Sequence, residues 1–439
     1  MIDPPDSAAA SNLVTALQAR RSGRLSALDW VDACLRRIDA RDAAVGAWVQ
    51  VDRDGARAAA RMIDAATGPP APLSGMPLGV KDVIDVAGLA TGCNSPTQAG
   101  RVASVHAASV ARLVAAGAVP LGKTVTTEFA FTEPGPTRNP HDPARTPGGS
   151  SSGSAAAVAD FQVPVALTTQ TGGSTIRPAA FCGAAGYKPP FGYVPTDGLA
   201  YLAPSLDTIG LHARSVADLA RVAEVLEARP RPIDRTRAPV YALVRLPGDE
   251  TCEPAVRAAL ARTVAALRAA GATVREHPLV DEFGAIDAAH RVIMSVEVAR
   301  SFAALRARAP EQLSASLSAF IARGEAVTGD ELAAAAALVA RVRQSMYRFA
   351  EAGAVLLTPA TPGVAPVGLH ATGNAIFNRP FSLLHMGSLT VPVGVGAVAM
   401  PIGIQLADPH PAADRLFDAA AFAEAALARP PFSFQEPRP

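Results

Sequence analysis

The sequence predicts an α/β fold in which helices pack on a largely buried sheet. Two observations predict it. Segments with apolar residues at helical spacing repeatedly give way to short apolar strands. Hydrophobic residues make up 49% of the 439 positions and charged residues 18%, enough for a large core and too apolar for a disordered chain.

The first predicted elements lie near the N-terminus. Residues 11–40 carry apolar positions at helical spacing and predict a helical pair, broken near Gly23, with Ser26 as the N-cap of the second helix. The stretch MPLGVKDVIDVAG, from Met76, predicts a strand with a turn. ASVARLVAAGAVPLGKT predicts a helix that Gly117 closes and that runs into a buried strand.

The same order continues along the chain. GSAAAVAD predicts a short helix, FQVPVALTTQT a strand and SVADLARVAEVLEA another helix. A long helix follows Cys252 and turns at Gly271 into a strand, and the stretch from Gly329 to Thr361 repeats that order. The Pro/Arg-rich residues 227–239 are the best candidate for a linker or surface crossing.

Domain organisation is not set by length, which allows two or three average domains or one large α/β sheet. Because the later strands can join the same sheet, we predict a single domain over residues 1–439. Its N-terminal helices lie within residues 1–60 and its catalytic core within about 61–220. The remainder completes the sheet and the substrate pocket.

Charge and targeting signals narrow the partners and the compartment. The formal net charge is +1, with no basic stripe that would indicate nucleic acid. We recognise neither a signal peptide nor an apolar run long enough to span a membrane, so we expect a cytoplasmic protein. The four cysteines form no CxxC pair, and we expect reduced, buried thiols: Cys34, Cys93, Cys182 and Cys252.

Two common site motifs are missing. The chain has no HExxH sequence and no GxGxxG after a strand, and its eight histidines show no metal-ligand spacing. We therefore predict neither a metal nor a cofactor.

Three ordered motifs give the sequence its strongest signal. They are GVKDVIDV with Lys81, RTPGGSSSGSAAAV with Ser150, and TQTGGSTIRPAAFCG with Ser174. Together they resemble the amidase signature family of serine hydrolases, and weaker matches extend to MPIGIQL near the C-terminus. The resemblance implies a mixed central sheet covered by helices on both faces.

The resemblance also implies roles for individual residues. Ser174 takes the position of the nucleophile, Ser150 that of the serine that follows a cis peptide bond, and Lys81 that of the base. Ser174 lies 24 residues after Ser150, a separation that matches the family's layout. The oxyanion hole corresponds to the backbone N–H groups of Thr171, Gly172, Gly173 and Ser174.

The chemistry of these residue types agrees with those roles. A serine attacks an amide only when a base takes its proton, and a lysine serves if burial lowers its pKa from about 10.4 toward neutrality. Lys81 lies in the apolar stretch PLGVKDVIDV, which suits that shift. Taken alone, Lys81 would indicate a surface strand lysine beside Asp82, and each serine a turn or a helix cap.

Arg177 and Gln170 bear on the substrate. Gln170 replaces the acid of the commoner family pattern, and the variant TQTGGSTIRPAA resembles the malonamidase branch, in which this arginine binds a substrate carboxylate. A guanidinium suits that contact because it pairs with a carboxylate through two hydrogen bonds. The open alternative is that Arg177 braces the loop through a structural ion pair.

We therefore predict an amidase that hydrolyses a small carboxamide to a carboxylate and ammonia through an acyl-enzyme on Ser174. A carboxylate-bearing monoamide such as malonamate is the favoured substrate, and related amidases suggest a homodimer. Two alternatives remain. One is the A-type component of an amidotransferase complex, and the other is a non-catalytic binding protein with an amidase fold.

Overall fold

The computed structural model describes most of the chain: residues 7–234, 237–246, 248–277, 284–350, 353–395, 399–410 and 414–427. Strands in this part of the chain form one hydrogen-bonded sheet. In chain order they are β1 (Trp48–Val51), β2 (Pro77–Lys81), β3 (Val119–Thr124), β4 (Val165–Gln170), β5 (Ala185–Lys188), β6 (Thr208–Ala213), β7 (Val240–Val244), β8 (Thr273–His277), β9 (Val355–Pro359), β10 (Gly387–Val395) and β11 (Pro401–Asp408).

The sheet is mixed, with strand order β1-β3-β2-β4-β6-β5-β10-β11-β9-β7-β8. Parallel pairs lie toward both ends, where β2 pairs with β3 and β4, and β7 pairs with β8 and β9. Antiparallel pairs connect these two groups through the centre. Every residue of β2, β4, β5, β6, β9 and β11 is buried, so both faces of the central sheet are covered.

Helices provide that cover. In chain order they are α1 (Ser7–Ala10), α2 (Leu13–Arg21), α3 (Ala27–Val45), α4 (Arg53–Ala65), α5 (Ala108–Ala115), α6 (Ser152–Ala159), α7 (Ile176–Cys182), α8 (Val216–Leu226), α9 (Pro254–Ala269), α10 (Ile286–Arg308), α11 (Ala315–Ala326), α12 (Gly329–Ala350), α13 (Arg379–Leu383) and α14 (Asp414–Ala426). Helices α6 and α7 pack on each other and against central strands, and so do α8 and α14. The predicted α/β architecture is confirmed.

Local signals set several helix ends as predicted. The Ser26 side chain accepts a hydrogen bond from the backbone N–H of Asp29, which caps α3. Gly117, with φ +96°, ends the turn between α5 and β3. A side chain there would meet the backbone of Ser74, with an added Cβ only 2.9 Å from its Cα. The helix-turn-strand order is also confirmed for α9 with β8 and for α12 with β9.

The Pro/Arg-rich residues 227–239 do not cross the surface throughout, and part of that prediction is wrong. Glu227 and Arg231 form a buried ion pair, and Glu227 also accepts a hydrogen bond of 2.7 Å from the Tyr187 hydroxyl. The strands that precede and follow the segment, β6 and β7, belong to the same sheet. Residues 235 and 236 lie outside the described residues.

The sheet topology brings the sequence motifs together. Strands β2, β3 and β4 are parallel neighbours, so their carboxyl ends meet at one edge of the sheet. Lys81 is the last residue of β2, and the loop that starts after Gln170 leaves the end of β4. A helix from the distant part of the chain, α10, also reaches this edge through His290.

Candidate active site

Lys81 lies at the centre of this edge and is fully buried. Its Nζ atom donates hydrogen bonds of 2.7 Å to Ser150 Oγ and 2.7 Å to Thr169 Oγ1. Within the described residues no carboxylate lies within ion-pair distance of this amine. Burial therefore holds the pKa of Lys81 well below its ordinary value, against an opposing contribution from the charge of Asp207.

Ser150 begins the turn into α6 and is fully buried. The peptide bond between Gly149 and Ser150 is cis. The neighbouring serines bond to main-chain carbonyls, with Ser151 Oγ 3.2 Å from the carbonyl of Thr169 and Ser152 Oγ 3.3 Å from that of Val125. These side chains attach the serine-rich loop to the sheet and leave the Ser150 hydroxyl for Lys81.

Ser174 lies in the loop between β4 and α7 and is also buried, with 7% of its surface exposed against 0% for Lys81 and Ser150. Its backbone carbonyl accepts a hydrogen bond of 3.3 Å from the N–H of Ser151, which joins the two motif loops. Within the described part of the chain, the Ser174 hydroxyl itself makes no hydrogen bond. The structure thus places Lys81 against Ser150 and holds Ser174 beside them through the backbone.

The Ser174 loop leaves a row of backbone donors unused. Among the described residues, the N–H groups of residues 171–174 donate no hydrogen bond. The next two N–H groups, of Thr175 and Ile176, donate to Gln170 Oε1 at 2.9 Å and 3.1 Å. The loop packs closely, because a Cβ added to Gly173 would lie 2.5 Å from Asn378 Oδ1. Four adjacent backbone donors are therefore left without an acceptor in the described residues.

Residues distant in sequence hold this loop in place through hydrogen bonds to its carbonyl groups. The sequence analysis assigned none of them a role. The imidazole of His290 donates a hydrogen bond of 3.1 Å to the Thr171 carbonyl, and the Ser382 hydroxyl donates one of 2.8 Å to the Gly172 carbonyl. Burial lowers the pKa of His290 to about 4, so its imidazole is neutral at pH 7.

Asp207 supports the loop through a side chain. Its carboxylate accepts a hydrogen bond of 2.5 Å from Thr171 Oγ1 and bonds of 2.7 Å and 3.0 Å from the backbone N–H groups of Leu202 and Ala203. Burial raises the pKa of Asp207 to about 6 despite these donors. In the sequence SLDTIG this acid comes directly before the fully buried strand β6, which is the signal that could have identified it.

Arg177 lies in the first turn of α7 and is buried. Its guanidinium donates to the carbonyls of Gly373 at 2.7 Å and Gly149 at 2.6 Å, and to Thr372 Oγ1 at 3.1 Å. Its Nε atom is buried without a hydrogen-bond partner. No ion pair of Arg177 occurs within the described residues. Burial and the nearby charge of Arg379 lower the pKa of Arg177 to about 9, which leaves it charged at neutral pH.

The described residues contain no metal-binding cluster, no membrane-spanning helix and no disulfide bond. In the described ranges no group of three or more His, Cys, Asp or Glu side chains is arranged to hold a metal ion. The helices there include none with the length and hydropathy of a membrane span. All four cysteines are buried, as predicted, and they form no disulfide bond in the described residues.

Comparison with known proteins identifies relatives over most of the chain. Residues 29–415 match the family described as Amidase. A glutamyl-tRNA(Gln) amidotransferase subunit of Roseiflexus sp. (strain RS-1) is 36% identical over 465 residues, which cover 90% of this chain and 92% of that relative. The corresponding subunit of Roseiflexus castenholzii (strain DSM 13941 / HLO8) is 44% identical over 292 residues, covering 60% of this chain and only 59% of the relative.

Solved structures give the same answer. The crystal structure of an amidase is similar with a TM-score of 0.86 and 30% sequence identity, covering 94% of this chain and 99% of that chain. These findings support the family resemblance but do not confirm the malonamidase-like branch, because the curated relatives are amidotransferase subunits. The matched region contains every motif residue described above, and the chain is an enzyme that belongs to the amidase family.

Proposed function

We propose that this chain is a single-domain amide hydrolase in which Ser174 is the nucleophile, Ser150 the proton carrier and Lys81 the base. One observation carries the proposal. A fully buried lysine amine contacts two hydroxyl groups, one of which belongs to Ser150, and has no carboxylate partner in the described residues. A lysine in such a place is neutral far more readily than one in water, and a neutral amine accepts a proton.

The proposed reaction has two halves. The oxygen of Ser174 forms a bond to the carbonyl carbon of the amide while its proton passes through Ser150 to the Lys81 nitrogen. The oxygen of the former carbonyl takes the negative charge and lies against the free N–H groups of residues 171–174. The carbon–nitrogen bond then breaks, and the proton returns through Ser150 to the departing nitrogen, which leaves as ammonia. Water releases the acyl group as a carboxylate by the same route.

The surroundings of Arg177 support an acidic substrate. Its guanidinium is buried, its three hydrogen bonds go to uncharged oxygens, and its Nε has no partner. A buried charge without a counter-ion is costly, and a substrate carboxylate would supply that counter-ion. We therefore favour a small monoamide with a second, ionised carboxyl group, such as malonamate.

The test measures ammonia release from malonamate, malonamide, benzamide and a fatty amide by the wild-type chain and by Ser174→Ala. We expect turnover with a preference for malonamate, and its loss in the variant. Arg177→Gln separates binding from bracing. If Arg177 binds the carboxylate, KM for malonamate rises by about 10- to 100-fold while malonamide is little affected.

Arg177 also holds the Gly149 carbonyl, so a matched variant is needed. Thr372→Val removes one hydrogen bond of the guanidinium and keeps its charge. We expect this variant to treat malonamate and malonamide alike. An equal loss on every amide in Arg177→Gln would instead assign Arg177 to bracing of the loop.

A second candidate function has its own support. The amidotransferase subunit of Roseiflexus sp. is 36% identical over nine-tenths of this chain. If this chain acts in the same way, it releases ammonia from glutamine for a partner protein. Turnover of glutamine only after a co-purifying protein is added back would favour this candidate.

Failure of Ser174 to react with a serine-directed fluorophosphonate would favour a non-catalytic binding protein over both.

A further inference from the structure

The carbonyl groups of the Ser174 loop are each held by a different part of the molecule. His290 donates to the carbonyl of Thr171, the Ser382 hydroxyl to that of Gly172, and the backbone N–H of Arg177, at 3.0 Å, to that of Gly173. A peptide group is planar, so the direction of each carbonyl fixes the direction of the N–H of the following residue. The three contacts therefore orient the N–H groups of residues 172–174.

The middle contact belongs to a longer chain of hydrogen bonds. The Ser382 oxygen accepts a hydrogen bond of 2.9 Å from Gln170 Nε2 and donates to the Gly172 carbonyl. Gln170 Oε1 in turn accepts from the first N–H groups of the α7 turn, those of Thr175 and Ile176. Gln170 and Ser382 are both buried, so these hydrogen bonds are shielded from water.

The direction of every bond in this chain is determined by its ends. Backbone N–H groups only donate, so the oxygen of the Gln170 amide must face α7 and its NH₂ group must face Ser382. A carbonyl only accepts, so the Ser382 proton must point to Gly172. A carboxylate at position 170 has no N–H to donate, and it would draw the Ser382 proton away from the Gly172 carbonyl.

We propose that Gln170 and Ser382 are positioning residues that orient the N–H of Gly173 toward the oxygen of the reacting amide. Gln170 holds the Ser382 hydroxyl with its proton toward Gly172, and Ser382 fixes the peptide between Gly172 and Gly173. The inference rests on the proposed function, in which that N–H is one donor of the oxyanion hole. It gives the glutamine at position 170 a chemical task that an acid would not perform.

Two variants test this series of hydrogen bonds, one at Ser382 and one at Gln170. Ser382→Ala removes the donor to Gly172, and Gln170→Glu keeps the acceptor for α7 while replacing NH₂ by a second oxygen. Loss of a whole oxyanion donor costs about 100- to 1,000-fold in kcat, so a misdirected donor should cost about 10- to 100-fold, with KM changed by less than about twofold. Ser388→Ala is the matched control, because Ser388 is a buried serine whose hydroxyl has no partner in the described residues. We expect it to retain wild-type kcat.

A pH series separates positioning from a general structural effect. A protonated carboxyl group has one O–H donor, so the acid form of Gln170→Glu can donate to Ser382 as the amide does. We expect the kcat of Gln170→Glu, divided by that of the wild type at each pH, to rise as pH falls. The same ratio for Ser382→Ala should be independent of pH. A constant ratio for both variants would overturn the proposal.

The double variant and a covalent probe complete the test. Because Gln170 acts through Ser382, adding Gln170→Glu to Ser382→Ala should lower kcat by less than about twofold further, whereas independent effects would multiply and would overturn the proposal.

A fluorophosphonate forms a phosphorus–oxygen bond to Ser174 and releases fluoride, with its phosphoryl oxygen in the same donor site. If the wild type hydrolyses no amide but reacts with this probe, the proposed function fails while slower labelling of both variants still supports the positioning role. Labelling at wild-type rates in both variants would overturn it.

Discussion

Two buried lysines lie on neighbouring strands of this sheet, and only one of them has a carboxylate partner in the described residues. Lys81 ends β2, and Lys123 lies on β3, where it pairs in register with Val80. Both side chains are fully buried. Lys123 forms an ion pair of 2.9 Å with Asp82 and donates to Thr91 Oγ1 at 2.8 Å. Lys81 contacts hydroxyl groups alone in the described residues.

The comparison shows that buried lysines on neighbouring strands can be suited to different roles. Asp82 follows Lys81 in sequence, yet it pairs with Lys123. Burial lowers the pKa of both lysines, but the Asp82 carboxylate opposes that effect at Lys123, whereas at Lys81 the pKa falls well below its ordinary value. Lys123 is thus suited to remain charged and to hold β3 against the turn that follows β2. Lys81 is suited to lose its proton and act as a base.

The largest expected effect comes from removing each lysine in turn. Lys81→Met should lower kcat by about 100- to 10,000-fold, the usual contribution of a general base, with little loss of stability. Lys123→Met leaves the Asp82 carboxylate buried without its partner, which should lower the free energy of unfolding by about 3–5 kcal/mol. Ammonia release and urea unfolding of both variants provide the measurements. Equal effects of the two variants on kcat per folded molecule would contradict the comparison.

A smaller effect is expected when Lys81 is given the kind of partner that Lys123 has. Thr169 Oγ1 lies 2.7 Å from the Lys81 amine, so Thr169→Asp places a carboxylate beside it. The new charge should raise the pKa of Lys81 and lower kcat/KM at pH 7 by about 10- to 100-fold. Because the base must be neutral, activity should return as pH rises.

Thr169→Asn is the control for that experiment, since it has nearly the same shape and no charge. We expect its pH profile to rise at the same pH as that of the wild type. If Thr169→Asp and Thr169→Asn show the same pH profile, the charge beside Lys81 does not control its protonation.

Local sequence signals were sufficient for part of this picture. The cap at Ser26, the glycine turn at Gly117 and the alternation of helices with strands depend on neighbouring residues, and all were predictable. The motif positions of Lys81, Ser150 and Ser174 also came from short contiguous patterns. The structure brings the first two into contact, and their catalytic roles stay predictions.

The contacts that support the loop could not be predicted in this way. His290 bonds to a residue 119 positions away and Ser382 to one 210 positions away. Such contacts depend on how α10 and α13 pack against the loop, and no periodicity in the sequence records that packing. The pairing of Asp82 with Lys123 was missed for the same reason, because it requires the register of two strands.

The smallest expected effect concerns a carboxylate that acts on Lys81 without forming an ion pair with it. The charge of Asp207 raises the pKa of Lys81 and so opposes the effect of burial. Asp207→Asn removes that charge and keeps the hydrogen bonds, since the amide oxygen can accept from the two backbone N–H groups and its NH₂ can donate to Thr171 Oγ1. The pKa of Lys81 should therefore fall, and the acid limb of kcat/KM should move to lower pH by less than about one unit.

The pKa of Asp207 is about 6, so the wild-type carboxylate is itself neutral at lower pH and the two profiles should converge there. Asp218→Asn, at another buried carboxyl group, should leave the limb in place, and a shift of the limb to higher pH in Asp207→Asn would show that this carboxylate acts on the loop and not on the base.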